Sequence, residues 1–281
     1  MKYWQTTRRR ISLEKTLVMA ILNVTPDSFS DGGEFFSIDA ALRQAEKLVA
    51  EGAGVLDIGG ESTRPASERV SSAEEIRRVV PVIEALTKRF DVPISIDTSK
   101  SEVAEKSIEA GAEIINDVSG LRFDERIASV AAAKNAGLVL MHLRGDFETM
   151  HKQKPVADVL KEVSEGFRRS IEKAESFGVK REQIALDAGI GFSKTFNQNL
   201  ELLAKLDKLT KEFSEFPLLV GTSRKSFIGK ILGDAPTGER LNGSLASAGI
   251  AVWNGADIVR VHDVKATVEA LKVVEAIKKE L

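Results

Sequence analysis

Eight short, β-rich apolar runs recur along the chain, and each is followed by a longer stretch in which apolar residues return every three or four positions. The runs are LVMAILNVT (17–25), VLDIGG (55–60), PISIDT (93–98), EIINDVSG (113–120), GLVLMHL (137–143), IALDAG (184–189), PLLVGTS (217–223) and DIVRVHD (257–263). They predict strands. The segments between them, such as DAALRQAEKLVAEGA, AEEIRRVVPVIEALTKRF and VADVLKEVSEGFRRSIEKAESFG, carry the helical period, and several close on Gly, as helix C-termini tend to. Ser72 with Glu75 and Ser99 with Glu102 match the S/T-x-x-E box and predict helix starts at those residues.

Strict alternation of strand and helix implies parallel strands, because each crossover must return to the same edge. Eight such units predict a (β/α)8 TIM barrel over 17–281, preceded by an N-terminal arm or hairpin at 1–16. A doubly wound open sheet is the rival. Against it, no G-x-G-x-x-G follows the first strand, and polar residues are spread over all eight strand ends instead of gathering at one switch point.

Charge and composition remove several functions. With 40 Lys+Arg against 42 Asp+Glu the formal charge is −2, so no overall field recruits nucleic acid or an acidic membrane, and any anion site must be local. The absence of cysteine excludes disulfides, thiolate metal sites and cysteine nucleophiles, and fits a reducing cytoplasm. No apolar run reaches membrane length. The RRR at 8–10 reads either as a nucleic-acid patch or, with no second basic cluster beside it, as a solvated arm.

The last residues of the predicted strands carry the candidate chemistry: Asn23, Asp57, Asp97, Asn116, His142, Asp187, Ser223 to Lys225, and Arg260 with His262. In a (β/α)8 barrel these ends form one rim, where catalytic groups sit. Asp97 shares a strand face with Ser95, and Asp187 precedes a Gly-rich loop, so neither reads as a simple helix cap. Asn116 and Asp117 point oppositely, one to the lumen and one to a loop. His142 is either a structural or a functional residue, and Asp57 is either a site residue or a buried support for its neighbours. In IVRVHD, Val259 and Val261 fall on one face while Ile258, Arg260 and His262 fall on the other. A cation and an imidazole on one barrel-facing side are costly to bury without a partner anion. Together with Arg224, Lys225 and the helix start at Ser226, they predict a phosphate or carboxylate site.

NVTPDSFSDGG (23–33), DIGGESTRP (57–65), SIDT (95–98), INDVSG (115–120), MHLRG (141–145), DAGIGF (187–192), SRKSFIG (223–229) and RVHD (260–263) together closely resemble the dihydropteroate synthase family. That family condenses 7,8-dihydropterin-6-ylmethyl diphosphate with p-aminobenzoate. The resemblance implies that Arg260 and His262 bind the diphosphate with Thr63 and Arg64, and that Asn23 coordinates Mg2+. It further implies that Asp97, Asn116, Asp187 and Lys225 hold the pterin, with Met141 packed on its ring. Phe29, Pro65 and Phe192 would wall the p-aminobenzoate, whose carboxylate meets Ser226, with Arg64 on the same side. A homodimer is implied on the same ground. Three positions depart from the family pattern: Ala66 stands where glycine is usual, Ala188 where proline is usual, and Phe147 where proline is common. A corrinoid-dependent methyltransferase of the pterin-barrel type should lack the SRKS and RVHD motifs. A catalytically silent, pterin-binding paralogue is opposed by the intact Asn23, Arg64, Lys225 and Arg260.

Overall fold

The computed structural model describes residues 2–24, 34–62, 67, 69–150 and 152–280. Two short strands, β1 (Tyr3–Gln5) and β2 (Arg10–Ser12), pair as an antiparallel hairpin. The chain then alternates through β3 (Leu17–Asn23), α1 (Glu34–Ala50), β4 (Val55–Gly59), α2 (Ser72–Arg89), β5 (Ile94–Asp97), α3 (Ser101–Glu109), β6 (Ile114–Asp117), α4 (Arg126–Lys134) and β7 (Gly137–Met141). It continues with α5 (Val159–Ser176), β8 (Ile184–Asp187), α6 (Phe196–Ala204), α7 (Leu206–Glu212), β9 (Leu218–Val220), α8 (Ser226–Ile231), α9 (Leu241–Trp253), β10 (Ile258–Val261) and α10 (Val264–Lys278). The strands from β3 to β10 close into a parallel barrel, with β10 pairing both β9 and β3. All eight expected strands are present in the expected order.

Strand residues alternate between two environments. Residues such as Leu56, Ile58, Ile96, Leu138, Val259 and Val261 face outward into the layer between barrel and helices, the larger apolar core. Met19, Val55, Ile114, Val139, Ala185, Leu219 and Ile258 face inward and fill the lower barrel. The hairpin closes this end: Trp4 is fully buried among those residues, and its indole N–H donates to the Gln183 carbonyl at 2.8 Å.

The hairpin is present, but its basic run is not a solvated arm. Arg8 and Arg9 each reach the fully buried carboxylate of Glu113 at 3.0 Å, and Thr6 Oγ1 donates to it at 2.7 Å. Arg10 lies over the Tyr3 ring, 4.4 Å from its centroid. The first two arginines therefore neutralise a buried acid. The helix starts also shift from expectation. Ser71, not Ser72, caps α2, its side chain accepting from the Glu74 N–H. The residue before α3 is Lys100, which makes no side-chain cap; Asp124 instead accepts the Ser101 N–H at 3.0 Å. A carboxylate distant in sequence supplies what the local box was expected to supply.

Candidate active site

Above the apolar floor, the inward positions become polar. Strand register places Asn23 beside Gly59, Gly59 beside Asp97, and Asp97 beside Asn116, while Met141 neighbours Asp187 across the barrel. The rim expected from the strand ends is thus assembled here from six strands, β3 to β8.

One wall is an ion network. Fully buried Asp57 accepts from Arg260 Nε at 2.6 Å and from Asn116 Nδ2 at 3.0 Å, and Arg260 Nη2 donates to Asp97 Oδ2 at 2.7 Å. Burial opposes the guanidinium charge, but Asp57 and Asp97 outweigh it and raise the Arg260 pKa. Asp97 behaves otherwise. Burial pushes its pKa up to about 7, and the negative charge of Asp57 adds to this against the pull of Arg260. Asp57 is therefore the support that keeps Arg260 and Asn116 in place. Asp57 Oδ1 and Ser95 Oγ, both buried, have no hydrogen-bond partner among the described residues. Asp117 points away from the lumen and accepts the Ser119 and Leu121 N–H groups at 2.8 and 2.6 Å, tying down the loop after β6.

The facing wall is built from the loops after β7, β8 and β9. Asp187, nearly buried, accepts the Gly189 N–H at 2.7 Å, and burial raises its pKa although Lys225 and Lys194 draw it down. Lys225 begins the turn into α8, and its ammonium lies 4.1 Å from the centroid of the Phe192 ring. Burial lowers its pKa to about 8. A side chain at Gly191, which has a φ of +87°, would place its Cβ 2.8 Å from Lys225 Cδ, so glycine is required for the lysine to pass. Phe192 packs with Met141, Val118, Leu143, Met150, Phe123 and Phe147 in one apolar cluster.

Just past β10, His262 Nδ1 lies 3.0 Å from Ser223 Oγ. Ser226 is the first, exposed residue of α8. Arg224 does not join the cation cluster as the sequence suggested. It forms a two-point pair with Asp263, Nε to Oδ2 at 3.0 Å and Nη2 to Oδ1 at 2.6 Å, and its charge is spent there. Phe29, Thr63, Arg64, Pro65 and the departure at Ala66 lie outside the described residues. Of the other departures, Ala188 is buried behind Asp187, and Phe147 joins the apolar cluster.

Lys100 and Arg69 carried no signal in the sequence. Lys100 bridges Glu61 at 2.9 Å and buried Glu75 at 2.5 Å, and Glu61 also accepts the Val70 N–H at 2.8 Å, closing the two ends of the second loop. Arg69 lies over Phe123 and Phe147, 5.7 and 4.9 Å from their centroids. Only the departure at Phe147 could have drawn attention to that contact. Among the described residues no cluster of three or more His, Asp or Glu side chains could hold a metal ion by itself.

Buried carboxylates opposite a lysine, beneath an aromatic wall and beside cations, suit a flat heterocycle with adjacent donors and acceptors and an anionic tail. Comparison with known proteins agrees. The pattern of the pterin binding enzyme family matches residues 19–262. The dihydropteroate synthase of Synechocystis sp. is 49% identical over 264 residues, spanning 94% of this chain and 91% of that protein. The Yersinia pestis dihydropteroate synthase, solved with a sulfonamide drug complex, superposes with a TM-score of 0.92 at 44% identity over 99% of each chain. The Xanthomonas albilineans enzyme, solved with 4-aminobenzoic acid, gives a TM-score of 0.91 at 41% identity, again over 99% of each chain. The chain belongs to the pterin-binding enzyme family, among the dihydropteroate synthases, the transferases of folate synthesis.

Proposed function

We propose that the chain condenses 7,8-dihydropterin-6-ylmethyl diphosphate with p-aminobenzoate by a dissociative path. The observation that carries this reading is the convergence of Asp97, Asn116 and Arg260 from one wall and Asp187 and Lys225 from the facing wall on the lumen mouth. Asp187 accepts paired N–H donors of the 2-amino-4-oxopyrimidine edge, and Lys225 donates to its oxygen and ring nitrogen. Asn116 completes the polar slot, and Met141 packs on the ring. Arg260 and His262 draw the diphosphate, joined by Thr63 and Arg64. As the C–O bond breaks, the two guanidinium groups and these hydrogen-bond donors stabilise the negative charge gathering on the leaving group. Asp97, ionised, offsets the cation left on the pterin, and the aromatic amine then attacks the methylene carbon. Phe29, Pro65, Phe192, Arg64 and Ser226 orient p-aminobenzoate.

Asn23 ends β3 with its Oδ1 close to Gly59, where an added Cβ would come within 3.2 Å of that oxygen. One neutral oxygen donor fits Mg2+, a hard ion that keeps waters and takes most of its ligands from phosphate. When bound, the ion supplies positive charge to the departing diphosphate.

The reading includes a cytoplasmic location, in keeping with the cysteine-free composition. No helix among the described residues is long and apolar enough to cross a membrane. It also includes a homodimer, supported by Ile250 and Trp253 of α9 and Val273 and Ile277 of α10, large apolar side chains left exposed on adjoining helices.

The test is release of diphosphate from the pterin substrate with and without p-aminobenzoate. Formation of 7,8-dihydropteroate by the wild type, abolished in Lys225→Ala and Asp187→Ala together with pterin binding, is expected. Silence of a folded wild type that still binds pterin would replace this reading with a binding protein.

A further inference from the structure

Lys194 has no part in the reaction as described, yet it is among the most constrained side chains near the site. An ammonium has three N–H donors and no acceptor. Three acceptors surround this one: His142 Nδ1 at 3.0 Å, the His142 carbonyl at 3.2 Å and the Phe192 carbonyl at 3.0 Å. The first two belong to the residue that follows β7 and the third to the loop after β8, so one side chain joins two loops of the same wall. With Nζ donating as an ammonium, His142 Nδ1 is the unprotonated ring nitrogen and the ring proton sits on Nε2, which is buried without a hydrogen-bond partner among the described residues, Glu162 Oε1 being 3.7 Å away. The neutral ring is in keeping with burial, which with Lys194, Arg144, Arg169 and Arg122 around it holds the His142 pKa well below its ordinary value.

The Phe192 backbone is pinned on both sides. Its N–H donates to the Gly189 carbonyl at 3.0 Å, and the preceding Gly191 N–H donates to Asn199 Oδ1 at 2.7 Å. Its ring is the surface on which the Lys225 ammonium rests. We propose that Lys194 is a positioning residue for the second substrate, fixing through the Phe192 carbonyl the ring against which p-aminobenzoate is set. This rests on the condensation proposed above.

A pH signature follows. Burial lowers the Lys194 pKa to about 7; Asp187 on β8 and Glu162 on α5 oppose the shift, while Arg144 and Lys225 add to it. A neutral amine has only two N–H groups and must release one of the three acceptors. Losing the charge also removes the charge assistance from the bonds that remain, so the hold on Phe192 is full below about pH 7 and weaker above it.

The experiment is steady-state kinetics of wild type, Lys194→Met and Lys194→Gln with both substrates, from about pH 6 to about pH 9. Lys194→Met is expected to raise the KM for p-aminobenzoate about tenfold, with kcat and the KM for pterin within about twofold, as loss of a charge-assisted hydrogen bond implies. Lys194→Gln, which can still donate to one carbonyl, is expected to recover part of the loss. The wild-type KM for p-aminobenzoate should climb through about pH 7 and the variants should lose that step. An unchanged KM in a folded variant, or an equal rise for both substrates, would overturn the assignment. If Lys194→Met fails to fold, a flat wild-type KM across the same pH range overturns it. A wild type that releases no diphosphate overturns the condensation instead.

Discussion

Arg260 on β10 binds Asp57 on β4 through Nε at 2.6 Å, across the one intervening strand β3, and this contact decides where the cation of β10 can reach. Asp57 has no exposure to solvent, so removing it leaves a guanidinium facing Asp97 alone. Breaking one side of a buried pair typically costs about 3–5 kcal/mol. Asp57→Ala is expected to lose stability of that order in urea unfolding, and to lose pterin affinity in calorimetry because Asn116 also loses its partner.

The pH profile of kcat/KM for the pterin substrate is expected to be bell-shaped. Asp97, raised to about 7 by burial, must be ionised to offset a cation, so the rate rises through that value. Lys225, lowered to about 8 by burial, must be charged to donate fully, so the rate falls above it. Asp97→Asn should abolish the acid limb along with most of the rate; stopped assays at a series of pH values would show this.

Trp4 plugs the end of the barrel opposite the polar rim. Trp4→Ala removes its fully buried ring and is expected to cost about 3–5 kcal/mol. Thermal unfolding should register the loss, while specific activity at low temperature stays near that of the wild type.

Arg69 over Phe123 and Phe147 is expected to anchor the second loop to the loops after β6 and β7. Each such contact contributes about 0.5–1 kcal/mol at an exposed site. Arg69→Ala and Phe147→Leu should therefore couple by that amount in a double-mutant cycle on kcat, with pterin affinity unchanged.

The barrel was legible because each strand is a short apolar run, and each crossover carries the 3.6-residue period that packs it on the sheet. The lumen residues were legible for the same reason: Asp97, Asn116, Asp187 and Arg260 are polar interruptions at the alternate positions that point inward. Legibility failed where a partner came from far along the chain. Ser72 satisfies the local box as well as Ser71 does, and only backbone geometry chose between them. Arg224 reads as one more phosphate-binding cation until Asp263 is found beside it. The RRR run looks solvated until the hairpin folds under the barrel and brings Arg8 and Arg9 to Glu113, more than a hundred residues away in sequence.

By itself the sequence determined the alternation of strand and helix, the closed barrel, and the face on which its charged residues lie, because periodicity and side-chain direction are local properties of a chain. Tertiary structure decided which of those charges neutralise each other and which remain to meet a substrate. That outcome depends on distances between strand ends and on burial, and it is burial that moves Asp97, Lys194 and Lys225 toward neutrality.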